Sequence, residues 1–201
     1  MDTISQQRIA ELEPVFGARM AATIEDCAAE PEPIYLRIVQ GKRSPNLQHA
    51  IFLQGREPLD VVNEARKSVG LSPISDEENQ EVVTHADWMQ SMHCFGLAAD
   101  GDPSLDGVDK PFNPDWSNPE QDPKWQRVLA IAATHKLAEG AKWTAAKRDY
   151  PHFYPIELPA NPTDEMVATF KAAGLQAVWE GRPHGRPFSF GSAAPSLSSR
   201  L

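Results

Sequence analysis

Apolar residues near the start of the chain recur at helical spacing. Between residues 4 and 24 an apolar side chain falls every three or four positions, at Ile9, Leu12, Phe16, Met20 and Ile24. This spacing places them on one face of an amphipathic helix that packs inward. The acidic, proline-containing stretch AEPEP then ends the predicted helix. The pattern therefore predicts one long helix over residues 4–24.

The hydrophobic pattern next changes to alternation. Over residues 34–39 the apolar Ile34, Leu36 and Ile38 alternate with other side chains, which predicts a strand closed by Gly41. Ser44 and Pro45 suit the N-cap and first position of a second helix. The apolar residues of that helix are Leu47, Ile51 and Phe52.

The middle of the chain is less regular. Residues 55–90 predict loops around at most one short helix, a length of loop that is often functional. A short strand is expected over Leu97 to Asp100, followed by a surface excursion over 101–123 that is dense in Asp, Pro, Asn and Gly. A further helix starts near Trp125, and Gly140 is expected to end it.

The last third predicts two strands, one helix and a tail. Trp143 and residues 152–154 are expected to supply strands. Residues 161–165, which include Pro162, Asp164 and Glu165, are typical of a helix N-terminus, and Gly174 is expected to stop that helix. Residues 181–201 are rich in Gly, Pro and Ser and predict a flexible tail.

Composition restricts the class of protein. A chain of 201 residues with 41% hydrophobic and 23% charged residues is typical of one soluble globular domain with appendages. A formal charge of -9 argues against a nucleic-acid partner, which needs clustered Lys and Arg. Cys27 and Cys94 are too few for a disulfide scaffold or a cysteine-rich zinc site, so any metal must bind to His and carboxylate ligands.

Two segments carry the residue types needed for metal-assisted hydrolysis. Zinc catalysis requires three protein ligands, one open position for water, and a nearby carboxylate that moves the proton of that water. Residues 91–100 read SMHCFGLAAD, in which a His precedes a Gly and a short strand that ends in Asp. Residues 149–152 read DYPH, with a carboxylate three positions ahead of a His.

These segments resemble the signature of a family of zinc peptidases. The family comprises D-alanyl-D-alanine carboxypeptidases and dipeptidases together with L-alanyl-D-glutamate endopeptidases of phages and bacilli. Its motif S-x-H-x-x-G-x-A-x-D, followed by D/E-x-x-H, has every fixed position present here. Residues 83–86 resemble its V-T-x-A lead, residues 43–48 its R-S-x-x-x-Q segment and residues 54–56 its Q-G-R segment.

The resemblance implies a role for each matched position. His93, Asp100 and His152 would bind Zn²⁺, and Asp149 would be the general acid and base. Arg43 would contact the substrate and steady the negative charge of the tetrahedral intermediate. Three further residues, Ser91, Gln48 and Arg56, are expected to support the ligands or the substrate.

Other interpretations of the same residues stay open at this stage. Asp149 could be a solvated carboxylate paired with Lys147 or Arg148, and Glu157 is a rival base because it is near His152 in sequence. Arg43 and Arg56 could be surface cations of little energetic value. The remaining histidines and the tryptophans Trp88, Trp116 and Trp125 are expected in surface or core roles, and Cys94 as a small apolar filler.

The resemblance also implies a fold. We expect an α+β domain in which a small antiparallel sheet carries the zinc ligands and helices pack on one face. Residues 1–158 would form the zinc peptidase domain, 159–180 a helical elaboration and 181–201 the tail.

The expected substrate is the stem peptide of peptidoglycan. An endopeptidase cutting between L-Ala and D-Glu is the first choice, with D-Ala-D-Ala carboxypeptidase or dipeptidase as the alternative. A third possibility is a non-catalytic zinc module, as in the related hedgehog signalling domains. The first residues lack the basic start and the apolar stretch typical of a signal peptide, and no apolar run reaches membrane-spanning length. We therefore expect cytoplasmic synthesis, no membrane insertion, and release to the wall through a holin pore or a secretion system.

Overall fold

The computed structural model describes residues 1–104, 121–140, 143 and 149–181. Six helices, four strands and two short 3₁₀ turns are assigned within this part of the chain. In order along the chain they are α1 (Thr3–Ala10), α2 (Pro14–Ala28), β1 (Tyr35–Gln40), α3 (Pro45–Leu53), α4 (Leu59–Ser68), a 3₁₀ turn (Glu78–Gln80), a second 3₁₀ turn (Met92–Phe95), β2 (Ala99–Ser104), α5 (Pro123–Thr134), β3 (Leu137–Gly140), β4 (Asp149–Pro155) and α6 (Asp164–Glu180).

The N-terminal helical segment is two helices, so the prediction of one helix over 4–24 is wrong. The break falls just before Pro14, which lacks a backbone N–H and therefore begins α2 instead of continuing α1. Glu13 caps the new helix, since its carboxylate accepts a hydrogen bond from the Phe16 N–H at 2.7 Å. The apolar spacing survives the break because the two helices lie against the same core.

The sheet is small and antiparallel, which confirms the predicted α+β class. Its strands are ordered β1-β2-β4-β3. The strand predicted over 34–39 is β1, and the strand predicted over 152–154 lies in β4. β2 continues to Ser104, so the predicted surface excursion does not begin at residue 101. Residues 105–120 lie outside the described residues.

The register of β2 and β4 separates an apolar face from a polar one. Ala99 pairs with Phe153, and Asp100 pairs with His152. Because side chains alternate along a strand, the first pair faces the core while the second faces the opposite side. The core face is covered by α2 and α5, whose buried residues include Phe16 and Trp125. The helices on one face therefore leave the other face free to carry chemistry.

Helix α1 protects the edge strand β1. The Ile38 N–H donates to the Ser5 hydroxyl at 3.0 Å, and Arg8 donates to the Ile38 carbonyl. Ser5 itself is fully buried, and its backbone N–H is capped by the Asp2 carboxylate. These side chains satisfy backbone groups that an edge strand otherwise presents to other chains.

The region from residue 44 to 90 follows its prediction. The Ser44 hydroxyl accepts from the Leu47 N–H at 3.2 Å, which confirms it as the N-cap of α3. Only α4 and the three-residue turn Glu78–Gln80 interrupt the loops between residues 55 and 90.

Helix α5 ends earlier than predicted. It begins at Pro123, after the Asp122 cap, and ends at Thr134. The chain then reverses through Lys136, which adopts a positive φ of 59°, and forms β3 against β4. Gly140 therefore ends a strand and not a helix, and Trp143 lies in a bend and not in a strand.

Helix α6 builds a second apolar core with the Met92–Phe95 turn. Its buried residues Met166 and Val178 pack with Phe95, Leu97 and other residues of that segment. Thr163 caps the helix at the predicted start, but Gly174 interrupts the helix with a kink and does not end it. No helix in the described part of the chain is long and apolar enough to cross a membrane.

Candidate metal centre

Three backbone elements each deliver one candidate ligand to the polar face of the sheet. Asp100 and His152 are register partners on β2 and β4, so pairing of the strands places their side chains next to each other. His93 comes from the Met92–Phe95 turn that precedes β2. Both histidines are buried, with His93 only 2% exposed, and the Asp100 side chain is 14% exposed.

The donor atoms of these residues form a nearly regular triangle. Nε2 of His93 and Oδ1 of Asp100 are 3.2 Å apart, as are Nδ1 of His152 and the same Oδ1. The two imidazole nitrogens are 3.3 Å apart. A tetrahedral zinc ion with bonds of about 2.0–2.1 Å separates its ligand atoms by about 3.3 Å. The triangle therefore fits one tetrahedral metal ion and leaves its fourth position free.

The backbone fixes which nitrogen of His93 is available. Nδ1 of His93 lies 2.8 Å from the Gly41 carbonyl oxygen, an acceptor, so this nitrogen carries the proton and donates. Nε2 then keeps its lone pair and points to the other two ligands. Metal-binding histidines are usually oriented in this way by a partner on the second nitrogen.

The protonation states also suit a metal site. Burial lowers the pKa of His93, and the charge of Asp100 only partly opposes this effect. Burial alone would raise the pKa of Asp100, but the neighbouring His93 and His152 imidazoles hold it well below its usual range. A neutral imidazole beside an ionised carboxylate is the combination that binds a divalent cation.

Asp149 lies at the margin of this triangle. Its Oδ2 is 3.8 Å from Nδ1 of His152, and its side chain is 46% exposed. Burial of its inner part and the charge of Asp100 raise the pKa of this carboxyl, against the opposing effect of His152. A carboxylate with a raised pKa at the open side of a metal site can accept and return a proton. The rival base Glu157 is instead paired with Arg19 at 2.8 Å.

Arg43 contacts a ligand directly. Its guanidinium donates to Oδ2 of Asp100 at 2.9 Å, the oxygen that faces away from the two imidazoles, and to Oε1 of Gln48 at 3.2 Å. Gln48 is fully buried and donates in turn to the Ala86 carbonyl at 2.7 Å. The R-S-x-x-x-Q and V-T-x-A segments are thus joined behind the Asp100 carboxylate, a candidate metal ligand.

Arg56 and Ser91 occupy supporting positions. Arg56 donates to the Thr84 carbonyl at 2.9 Å and stacks over the Phe52 ring at 4.0 Å. Ser91 precedes the turn that carries His93, is buried, and accepts from the Cys94 N–H through its carbonyl. The structure brings His93, Asp100 and His152 together with Asp149 and Arg43, whereas Arg56 contacts the V-T-x-A segment.

The sequence did not indicate two residues that lie beside the site. One is Gly41, whose backbone carbonyl orients His93, and a motif of side chains cannot show a contact made by a backbone oxygen. The Trp143 ring lies 4.9 Å from the His152 ring, and its indole N–H donates to the Tyr154 hydroxyl at 3.3 Å. An aromatic residue shortly before D-x-x-H is the signal that could have indicated this contact.

The other candidate residues lie elsewhere. Within the described residues, His93, Asp100 and His152 form the one group of three side chains able to share a metal ion. His49 and His135 pair with Asp87 and Asp26, at 2.9 and 2.7 Å. Trp125 is fully buried in the core, Trp88 is 38% exposed, and burial raises the pKa of the Cys94 thiol to about 11. Four residues considered from the sequence lie outside the described residues: Trp116, Lys147, Arg148 and His184.

A match to the sequence model of a protein family supports the motif assignment. The sequence model of a peptidase family described as D-alanyl-D-alanine carboxypeptidase matches residues 84–155, which contain all three candidate ligands and Asp149. The resemblance stated from the motifs is confirmed by this match. The chain is also similar to the crystal structure of the Serratia marcescens L-Ala D-Glu endopeptidase ChiX, with 14% identity over 77% of this chain and 88% of that chain and a TM-score of 0.44. No curated protein matches the chain.

Proposed function

We propose that this chain, whose residues 84–155 match the D-alanyl-D-alanine carboxypeptidase family, is a zinc metallopeptidase that hydrolyses stem peptides of peptidoglycan. The family match supports the coarse class, a peptidase of the cell wall. The observation that carries the metal-dependent part is the triangle of donor atoms on His93, Asp100 and His152, whose sides of 3.2, 3.2 and 3.3 Å suit tetrahedral coordination. Two imidazoles with one carboxylate are a donor set suited to zinc.

The residues of the site divide the work of amide hydrolysis. A zinc ion bound here would act as a Lewis acid toward a water molecule and the scissile carbonyl. Asp149 accepts a proton from that water at its carboxylate and returns it to the departing amine. Arg43 holds Oδ2 of Asp100, which leaves Oδ1 directed at the metal position. Trp143 covers one side of His152 and shields this ligand from solvent.

We further propose that the enzyme cuts an internal bond, between L-Ala and D-Glu, and does not remove a terminal residue. A carboxypeptidase must bind the free carboxylate of its substrate, which requires an available cation near the metal. Among the described residues, Arg43 is the cation in contact with the metal ligands, and it is already paired with Asp100 and Gln48. Asp102 and Asp149 place two further carboxyl groups on the same side, close enough to Asp100 for its charge to raise the pKa of each, so a substrate carboxylate would meet acidic groups there.

Digestion of three substrates in parallel tests this proposal. Purified peptidoglycan, a stem pentapeptide ending in D-Ala-D-Ala and the free D-Ala-D-Ala dipeptide are each incubated with zinc-loaded protein, and the products are identified by mass. Release of a new D-Glu amino terminus supports the endopeptidase. Loss of terminal D-Ala would assign the carboxypeptidase instead, and hydrolysis of the free D-Ala-D-Ala dipeptide would assign the dipeptidase.

A non-catalytic zinc module is the candidate from another class. Asp149 distinguishes it from a peptidase, because a binding module has no need for a proton-transfer carboxylate beside the metal. An Asp149→Ala variant keeps the three metal ligands and removes only this group. If the variant retains every biological effect of the protein, the binding module replaces the peptidase.

A further inference from the structure

The Met92–Phe95 turn, which carries His93, is held on two opposite sides. On the metal side, the His93 imidazole donates to the Gly41 carbonyl and the His93 carbonyl accepts from the Arg43 N–H at 3.1 Å. On the other side, the Phe95 carbonyl accepts from the indole N–H of Trp179 at 2.8 Å. Gly96 next to it accepts from the Glu13 N–H at 2.9 Å. A 3₁₀ turn of four residues has few hydrogen bonds of its own, so these contacts determine where His93 lies.

Trp179 makes close contact as well as a hydrogen bond. A Cβ atom added to Gly96 would lie 3.1 Å from Cζ2 of the indole ring. Gly96 also adopts a positive φ of 63° at the end of the turn. Only glycine meets both requirements here, the left-handed backbone and the absence of a side chain. The fixed glycine of the S-x-H-x-x-G motif therefore packs against α6 and the α1–α2 connection.

The kink in α6 allows one helix to contact Phe95 twice. The Phe170 ring packs edge-to-face on the Phe95 ring at 5.5 Å, while Trp179 binds the Phe95 carbonyl. In a straight helix, residues nine apart lie about 14 Å apart along the axis and on opposite faces. Gly174 breaks this geometry with φ 81° and ψ -177°, a conformation reserved for glycine. The kink therefore directs both aromatic residues to the same turn.

We infer that Trp179 is a positioning residue for the metal centre and that α6 sets the affinity of the protein for its metal by fixing the turn that carries His93. This inference rests on the proposed metal site. It assigns to residues 164–180 a function in metal binding in addition to their packing. Outer-shell groups that orient a ligand typically change metal affinity by about 10- to 100-fold when removed. Trp179 contacts the turn that carries His93 and not His93 itself. We therefore expect its removal to weaken metal affinity by about tenfold, at the lower end of this range.

A Trp179→Phe variant of the full chain tests the inference, because it removes the N–H donor and keeps most of the ring. Zn²⁺ affinity of the metal-free protein is measured by competition with a chromophoric chelator, and Co²⁺ absorption reports the ligand geometry. Val178→Ala is the matched control, since Val178 is buried in the same core and its side chain has no polar atom that could hydrogen-bond to the turn. We expect about tenfold weaker Zn²⁺ binding and a shifted Co²⁺ band for Trp179→Phe, and an unchanged metal affinity for Val178→Ala despite its lower thermal stability.

A second variant addresses the kink. An added Cβ at Gly174 meets no atom within 4 Å, so Gly174→Ala changes the backbone preference without a clash. It should weaken Zn²⁺ binding as Trp179→Phe does. Wild-type affinity in both folded variants, or an equal loss in Val178→Ala, would overturn the inference. Failure of the wild-type protein to bind Zn²⁺ at all would instead overturn the proposed function, and this inference with it.

Discussion

Asp100 and His152 face each other across the β2–β4 pair, with Oδ1 and Nδ1 separated by 3.2 Å. Fifty-two residues separate them in sequence, but strand pairing makes them neighbours on the face opposite the core. His93 completes the set from a turn whose position depends on Gly41 and α6. The site thus draws its geometry from strand register and from packing outside the sheet.

Zinc should stabilise the folded protein. The candidate ligands already lie close together in the folded chain. A zinc ion that binds only the native state raises the free energy of unfolding, by about 2.7 kcal/mol when the free zinc concentration is 100 times Kd. For a chain of this size we expect Tm to rise by about 5–10 °C when zinc is added to chelator-treated protein. Thermal unfolding followed by circular dichroism measures the shift. His152→Ala should show no such response, and a full response in this variant would refute the ligand assignment.

Replacing Arg43 should weaken the metal site. Arg43→Ala leaves Oδ2 of Asp100 without its 2.9 Å partner, so we expect Zn²⁺ affinity to fall about 10- to 100-fold. Arg43→Lys should recover part of this loss, because a lysine supplies charge but lacks the second donor for Gln48. Chelator competition gives the affinities. Arg127→Ala, which removes an arginine from an exposed pair with Glu30, is the control and should bind zinc normally.

Asp149 should affect the reaction and not the metal. An Asp149→Asn variant keeps a side chain of similar size but accepts no proton, so we expect kcat to fall by about 10²- to 10⁴-fold. Zn²⁺ binding should stay within a few-fold of wild type. Glu157→Gln is the matched control, since Glu157 pairs with Arg19. A large loss of kcat in this control, with full activity in Asp149→Asn, would reverse the assignment of the base.

The N-cap residue Asp2 should make the free energy of unfolding depend on pH under acidic conditions. Burial raises the pKa of Asp2, but the hydrogen bonds from Ser5 outweigh it and the net pKa lies below the usual value. A depressed folded-state pKa contributes stability above the unfolded value of about 3.9, and this contribution is lost as pH falls through the folded pKa. Asp2→Asn should therefore lower stability at neutral pH and flatten the acid limb of a denaturation series. An unchanged acid limb would contradict the assignment.

Both cysteines should resist alkylation in the native protein. Burial raises the pKa of Cys27 to about 12 and that of Cys94 to about 11, so almost no thiolate exists at pH 8. Mass spectrometry after iodoacetamide treatment should show no label on folded protein and two labels after denaturation. Rapid labelling of Cys94 under native conditions would indicate that the turn bearing His93 opens readily.

Local sequence features predicted the elements whose signals are themselves local. Ser44 and Pro45 indicated the start of α3, and alternation over 34–39 indicated β1, because caps and strand periodicity depend only on nearby residues. The predictions that failed involved competing local signals. Pro14 divides a continuous apolar stripe into two helices, and Gly140 ends a strand because the chain has already reversed at Lys136.

Residue types at fixed spacing in S-x-H-x-x-G-x-A-x-D and D-x-x-H were enough to identify the candidate ligands His93, Asp100 and His152 and the candidate base Asp149. How those residues act together depends on the folded chain. The register of β2 and β4 sets the 3.2 Å contact, the Gly41 carbonyl selects the His93 nitrogen, and Trp179 supports the turn from behind. These contacts involve backbone groups and residues that are far apart in the chain. They therefore produce no periodic or local pattern in the sequence.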